Sequence, residues 1–168
     1  MFNNWKQLIP EDFSDNSRTW IYQSNRLFTL SEALQIEQIL QDFTNQWVSH
    51  KETVKGYANL LFGQFIIIMA DDNVNVSGCS IDSSVRLIKD IEKRFNVSMF
   101  ERTTLAFVVK EKVELIPIGQ LNYAITNGFI TADTVYFNNT ILTKKELLEN
   151  WMIPVKSSWL ASKLQQPV

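Results

Sequence analysis

The sequence predicts an α+β fold, a single domain whose antiparallel sheet has the ferredoxin-like (split βαβ) arrangement, with helices packed on one face and a C-terminal helical extension. Two segments carry apolar residues at helical spacing, one from residue 30 and one from residue 81. Strand-like segments surround them in the order strand, helix, strand pair, helix, strand, which is the split βαβ order. The run 65–69 is wholly apolar, which is typical of a central strand covered on both faces.

The first strand and the first helix follow an N-terminal arm, 1–17, that we expect to be loosely tethered. Residues 20–28 are rich in aromatic and β-favouring side chains and predict the strand. Thr29 and Glu32 form a capping box, which marks the start of the helix. Its apolar residues recur at helical spacing: Leu30, Ala33, Leu34, Ile36, Ile39, Leu40, Phe43 and Trp47.

The middle of the chain predicts the strand pair and the second helix. Residues 51–61 read as extended, and Gly63 predicts a turn or bulge before the apolar strand. The second helix begins near Ser80 or Asp82 and ends at Asn96, which tolerates the left-handed conformation of a helix C-cap. Its inner stripe is Ile81, Val85, Ile88, Ile91 and Phe95.

The last third predicts a hairpin and the helical extension, 140–168. Segments 103–109 and 113–116 form the hairpin, 120–126 a short helix, and 134–137 a further strand. Thr143 and Glu146 form a second capping box, so 144–151 is predicted to be helical, with Pro154 as its stop. The whole chain, 1–168, is predicted to be one domain.

The composition excludes several classes of function. The net charge of -2 offers no positive field for nucleic acid, so we expect no nucleic-acid partner. The longest apolar run, 65–70, is much shorter than the roughly 20 residues of a membrane span, so we expect no membrane insertion. A single cysteine and the lack of a signal-like N-terminus predict a soluble protein of the cytoplasm.

Cofactor and metal motifs are missing from the sequence. The five glycines are isolated and form neither a P-loop nor a dinucleotide fingerprint. One cysteine and one histidine cannot supply the ligands of a structural zinc ion. We therefore expect no cofactor and no metal.

The segment around Cys79 is the candidate reactive site. A thiol near a helix N-terminus favours the thiolate, and such a terminus binds anions. The catalytic candidates are Cys79, His50 as a base, and Asp82, and the ligand-binding candidates here are Ser77, Gly78, Ser80 and Ser83. The alternative is structural: Ser80 or Asp82 caps the helix and Cys79 is a packing residue.

Three further residues are candidates for ligand binding: Trp47, Asn138 and Asn139. Trp47 and His50 are three residues apart and are predicted to share one side of the first helix near its end. The alternative is that the tryptophan packs in the core and that the two asparagines shape a turn. Four apolar residues near the C-terminus also predict a homodimer interface: Trp151, Ile153, Trp159 and Leu160.

Several motifs extend over about residues 18–162: Trp20-Ile21-Tyr22, Trp47 with His50, Ser77-Gly78-Cys79-Ser80-Ile81-Asp82, Phe137-Asn138-Asn139, Thr143-Lys144 and Asn150-Trp151. In these the chain resembles a small family of the Bacteroidetes whose members often carry the label "ABC transporter ATPase". Val76-Ser77-Gly78-Cys79 echoes the Leu-Ser-Gly-Gly signature of ABC proteins. The resemblance implies a shared fold and a shared loop at 79–82, and it supplies no mechanism.

The sequence therefore favours a non-catalytic binding or interaction module. The alternative is a small enzyme, or a protein that binds an anionic or phosphate ligand with the loop 77–82. An ABC-type ATPase is disfavoured because the phosphate-binding loop and its lysine are missing.

Overall fold

A computed structural model describes residues 1–71 and 78–165, without the side chains of residues 78–80 and 165. Its strands are β1 (Arg18–Gln23), β2 (Val48–Ser49), β3 (Glu52–Thr53), β4 (Gly56–Leu61), β5 (Phe65–Ala70), β6 (Thr104–Val109), β7 (Lys112–Pro117), β8 (Val135–Phe137) and β9 (Met152–Pro154). Its α-helices are α1 (Leu30–Gln46), α2 (Gly78–Phe95), α3 (Leu121–Thr126) and α4 (Lys144–Asn150). Short 3-10 helices cover Trp5–Leu8, Ile118–Gln120, Val155–Ser157 and Trp159–Gln165. The predicted α+β class is confirmed.

The first sheet has the order β1-β5-β4 and is antiparallel throughout. Its central strand, β5, is the apolar run predicted from the sequence, and all six of its residues are buried. Alternate side chains of a strand point to opposite faces, so β5 contributes to two separate cores. Ile66, Ile68 and Ala70 pack with α1 and α2 on one face, as predicted.

The opposite face of the first sheet is covered by a second antiparallel sheet with the order β7-β6-β8-β9. Phe65, Ile67 and Met69 of β5 pack there against Ala106 and Phe137 of the second sheet. In the described part of the chain β6 pairs with β7 and β8 and is not a neighbour of β1. The strand that would complete a single split βαβ sheet thus forms its own layer, because the apolar second face of β5 must be buried.

The N-terminal segment is packed, whereas the sequence predicts a loose arm. Three of its apolar side chains are buried in the core between the sheets: Trp5, Ile9 and Phe13. The Nζ atom of Lys144 donates a hydrogen bond to the carbonyl oxygen of Phe13 at 2.7 Å. Burial of three large apolar side chains outweighs the entropy lost on ordering the segment.

Local signals agree with the structure at several element ends. Thr29 and Glu32 form both hydrogen bonds of the predicted capping box. Asn96 is left-handed after α2, with φ of 53°. The hairpin of β6 and β7 turns at Lys110 and Glu111, which have φ of 51° and 62°. The predicted hairpin is thus confirmed, although left-handed residues at both positions usually include a glycine or asparagine.

The C-terminal region combines helices with a strand. Thr143 accepts the predicted capping bond from the backbone of Glu146, and α4 ends at Asn150. Pro154 then lies in β9, which pairs with β8 in the second sheet. Within the described residues, every helix is too short or too polar to cross a membrane.

Candidate functional site

A cleft of about 350 Å³ opens along the free edge of β1, where that strand faces the second sheet. Cavities of this order hold small organic molecules. The lining residues come from β1, the loop before β6, β6 itself, the end of β8 with the segment after it, and the C-terminal turn: Thr19, Trp20, Ile21, Tyr22, Gln23, Met99, Phe100, Glu101, Arg102, Thr104, Leu105, Ala106, Tyr136, Phe137, Asn139, Thr140, Ile141, Leu142 and Trp159.

The cleft lies between two hydrogen bonds that join the free edge of β1 to other segments near its two ends. At one end the backbone nitrogen of Thr19 donates to the carbonyl oxygen of Leu142 at 3.0 Å. At the other end Nε2 of Gln23 donates to the carbonyl oxygen of Thr104 at 3.1 Å. Backbone groups of alternate residues point to the same side of a strand, so Ile21 presents its N–H and C=O to the gap between these ends.

Aromatic rings form the walls of the cleft. Tyr22 meets Phe100 edge to face, with ring centroids 5.5 Å apart. Tyr136 and Trp159, which also line the cleft, form a similar pair at 6.4 Å. The Trp159 side of the rim is open to solvent, since this residue is 49% exposed. Such walls suit a flat apolar group, because aromatic pairs prefer offset or edge contacts at these distances.

A chain of side-chain hydrogen bonds runs behind the cleft. Nε1 of the buried Trp151 donates to Oδ1 of Asn139 at 2.9 Å. Nδ2 of Asn139 donates to Oε1 of Gln23, also at 2.9 Å. Gln23 continues the chain to the Thr104 carbonyl, so the amides of Asn139 and Gln23 are held in fixed orientations.

Two opposite charges lie at the mouth of the cleft and differ in their partners. Glu101 accepts hydrogen bonds from Thr103 and Thr104, and these bonds lower the pKa of its carboxyl group. Arg102 is exposed and has neither an ion pair nor a hydrogen bond with any described residue. A second guanidinium, that of Arg18, lies 5.6 Å from the ring of Trp20. Arg102 lines the cleft, whereas Arg18 contacts the ring of Trp20, which also lines it.

The two tyrosine hydroxyls of the cleft differ in what they offer. Burial raises the pKa of both Tyr22 and Tyr136, so both keep their protons at neutral pH. The Tyr22 hydroxyl is paired with Ser84. The Tyr136 hydroxyl accepts a bond from Nε1 of Trp159 at 3.1 Å, and its own proton has no acceptor among the described residues.

Trp47 and His50 both lie beyond the end of α1, whereas the sequence predicts that they share a side of that helix. The helix α1 ends at Gln46, and Trp47 is already extended. His50 is exposed in the turn between β2 and β3, where His50 and Lys51 have φ of 49° and 69°. The prediction that the two residues share a helix face is wrong, because the chain reverses in a tight hairpin before another helical turn can form.

Trp47 is a core residue and does not line the cleft. It is 2% exposed and packs against Phe43 and Trp20, with centroids at 4.9 and 6.5 Å. Its Nε1 atom has no hydrogen-bond partner among the described residues. Gly56 makes room for it, since a Cβ atom there would lie 2.5 Å from Cε3 of Trp47. The structural interpretation of this tryptophan is therefore the better one.

The candidates around Cys79 are only partly within the described residues. Ser77 lies outside them, and so do the side chains of Cys79 and Ser80. The backbone places Gly78, Cys79 and Ser80 in the first turn of α2. Asp82 is exposed inside the helix and Ser83 is half-buried, so Asp82 is not the residue that precedes and caps α2.

The two asparagine candidates follow β8 and lie at two adjoining cavities. Asn139 lines the cleft, whereas Asn138 lines a second cavity of about 300 Å³. The predicted dimer residues Trp151 and Leu160 are fully buried, so they cannot form an interface. They cover the inner layers of the fold, to which β9 and the C-terminal turn return.

The sequence singles out Trp159 as a tryptophan near polar residues that could line a pocket, and this residue does line the cleft. The other residues that give the cleft its character were missed: Gln23, Arg102 and Tyr136. They come from three distant segments, and none belongs to a local motif.

Comparison with protein-family models, with curated proteins and with solved structures gives no significant match. The resemblance to the Bacteroidetes family stays a prediction.

Proposed function

We propose that this protein is a non-catalytic binding protein and that the cleft at the free edge of β1 is its ligand site. The observation that carries the proposal is the combination of a cavity with aromatic walls and a polar side fixed by hydrogen bonds. Ligand sites are typically apolar pockets with a few well-placed polar groups. The bonded amides of Gln23 and Asn139 are oriented in this way before any ligand arrives.

The chemistry of the lining favours binding over catalysis. The described residues that line the cleft include no cysteine, histidine, lysine or aspartate. The carboxylate of Glu101 is held by backbone and hydroxyl donors of its own loop. A general base must reach the proton that it removes, and a carboxylate with both oxygens engaged is poorly placed for this role.

A second candidate is the enzyme or anion-binding site of the loop 77–82. One observation favours it: α2 begins at Gly78, so Cys79 lies in the first turn, where backbone N–H groups lack helical partners. Iodoacetamide labelling distinguishes the two readings. Labelling faster than that of a free cysteine at neutral pH supports a reactive thiol, and labelling only on unfolding identifies a packing residue.

The proposal includes a cytoplasmic location and a homodimer. The single cysteine supports the first, because oxidising compartments favour disulfide-bonded proteins. The exposed aromatic side chains of Tyr123 and Phe129 support the second, because interfaces are enriched in aromatic residues. Light scattering tests the homodimer directly, and a monomer at high concentration contradicts it.

A metabolite screen by thermal shift tests the binding proposal. A ligand at 100 times its Kd stabilises the protein by about 2.7 kcal/mol. Each hit is repeated with Trp159→Ala, which removes one wall, and with Phe129→Ala, an exposed aromatic residue outside the cleft. The proposal predicts weaker binding to the first variant only. Hits that bind both variants equally well place the ligand elsewhere.

A further inference from the structure

We infer that the ligand of the cleft is an aromatic carboxylate, with its ring between the aromatic walls and its carboxylate on Arg102. This inference rests on the proposed function and adds the chemical class of the ligand.

The hydrogen-bonding side chains of the cleft differ in how many donors and how many acceptors they leave for a ligand. All five N–H donors of Arg102 are without a partner among the described residues. The Tyr136 hydroxyl accepts from Trp159, and its proton has no acceptor among the described residues. On the acceptor side, the side-chain oxygens of Gln23 and Asn139 are already engaged. The carboxylate of Glu101 is engaged within its own loop, so the unused side-chain groups of the described lining are mainly donors and suit a ligand rich in acceptors.

The cation in the cleft, Arg102, carries a guanidinium group, which favours a carboxylate as its partner. A guanidinium presents a planar fork of donors that matches a carboxylate in a two-point contact. Arg18 does not line the cleft, but its guanidinium lies 5.6 Å from the ring of Trp20, which does. Arg102, Arg18 and the carboxylate of Glu101 together leave one net positive charge near the cleft, which disfavours a cationic ligand and favours a monoanionic carboxylate over a doubly charged phosphate.

The aromatic side chains of the cleft suit an aromatic ring in the apolar part of the ligand. Tyr22 and Phe100 form one edge-to-face pair, and Tyr136 and Trp159 form another. Phe100 is 37% exposed and Trp159 is half-exposed, so both have ring surface left to cover. A single aromatic ring or two fused rings fit a cavity of about 350 Å³ and would bury the exposed ring surface of Phe100 and Trp159.

A titration with three probes of equal shape tests the inference: 2-naphthoate, 2-naphthamide and 2-naphthylmethylamine, which are anionic, neutral and cationic. The protein is labelled with ¹⁵N, and the indole N–H signals of its five tryptophans are followed. We expect 2-naphthoate to shift the signals of Trp159 and Trp20, and to leave that of Trp5 in place. We expect it to bind about ten-fold more tightly than the amide, as a charge-assisted hydrogen bond implies.

Two variants assign the preference to one residue. Arg102→Gln should reduce the affinity for 2-naphthoate to that for 2-naphthamide. Arg86→Gln, which removes an exposed arginine of α2 that does not line the cleft, should change nothing.

The outcomes separate the two levels of the argument. Equal binding of the acid and the amide at the Trp159 signal overturns the carboxylate inference and leaves the binding proposal standing. Tighter binding of the amine overturns the inference in the same way. No change at Trp159 with any probe at millimolar concentration also overturns the inference, and the metabolite screen with Trp159→Ala decides the binding proposal by itself.

Discussion

Nε1 of Trp159 donates a hydrogen bond to the hydroxyl oxygen of Tyr136 at 3.1 Å, and the two rings meet edge to face. Tyr136 is buried in the second sheet, whereas Trp159 is half-exposed at the rim of the cleft. The bond therefore ties a rim residue to a rigid strand. Because the Tyr136 oxygen accepts this bond, its hydroxyl can act as a donor toward a ligand.

Trp159→Phe tests this bond, because it keeps a ring and removes the donor. We expect a loss of about 0.5–1.5 kcal/mol in the free energy of unfolding, measured by urea denaturation. Tyr136→Phe removes the acceptor, and the double variant completes a cycle. If the two residues are coupled, the double variant loses less than the sum of the single losses. Strict additivity contradicts the assigned bond.

Asn139 joins the two sheets behind the cleft, and its truncation should be costly. Asn139→Ala leaves Nε1 of the fully buried Trp151 without its acceptor. We expect a loss of about 1–3 kcal/mol in the free energy of unfolding. The control is Asn138→Ala, since the Asn138 side chain bonds only to the nearby Thr140 among the described residues. Its loss should not exceed about 0.5 kcal/mol, and equal losses rule out the proposed role of Asn139.

The ring of Trp47 leaves no space for a side chain at Gly56. Gly56→Ala places a Cβ atom 2.5 Å from Cε3 of that ring, so a buried side chain has to move. We expect destabilisation of about 1–3 kcal/mol, as for other overpacked cores. At Gly119 a Cβ atom meets nothing within 4 Å, and Gly119→Ala should be neutral or stabilising by up to about 1 kcal/mol. Thermal unfolding of both variants shows whether the order is as expected.

Arg26 and Glu32 predict a dependence of stability on pH. The Arg26 guanidinium, with help from the Thr29 backbone, lowers the pKa of Glu32 from 4.5 to about 2. A carboxyl group whose pKa is lowered in the folded state stabilises the fold at a pH above its pKa in the unfolded state. This contribution disappears as the pH falls through its pKa in the folded state. The stability gap between the wild type and Glu32→Gln should therefore shrink between pH 4.5 and about 2.

Glu37→Gln is the matched control for this titration. Glu37 lies exposed in the same helix and has no ion pair among the described residues. Denaturation curves at several pH values compare the two variants with the wild type. A gap for Glu32→Gln that stays constant over this range contradicts the assignment.

Much of the fold was predictable because local signals decided it. The apolar run of β5, the capping box of Thr29 and the left-handed Asn96 are read from a few adjacent residues. The second sheet was not predictable in this way. Its separation from β1 depends on which distant residues cover Phe65 and Ile67, and no short segment records that choice.

The candidate site was largely hidden from the sequence for a related reason. Asn139 was singled out, but its role depends on Trp151 and Gln23, which the fold brings to it. His50 was misplaced because two non-glycine residues adopt a left-handed turn that residue preferences disfavour. Arg102 carries no motif and is recognised only by the aromatic walls beside it.

The most direct measurement of the central claim is a set of intermolecular nuclear Overhauser effects between 2-naphthoate and the ¹⁵N,¹³C-labelled protein. The account predicts contacts from the naphthalene protons to the rings of Tyr136 and Trp159 and to the Ile21 side chain. Contacts to Tyr123 and Phe129, the exposed aromatic residues outside the cleft, contradict it, and so does binding without any contact to the cleft.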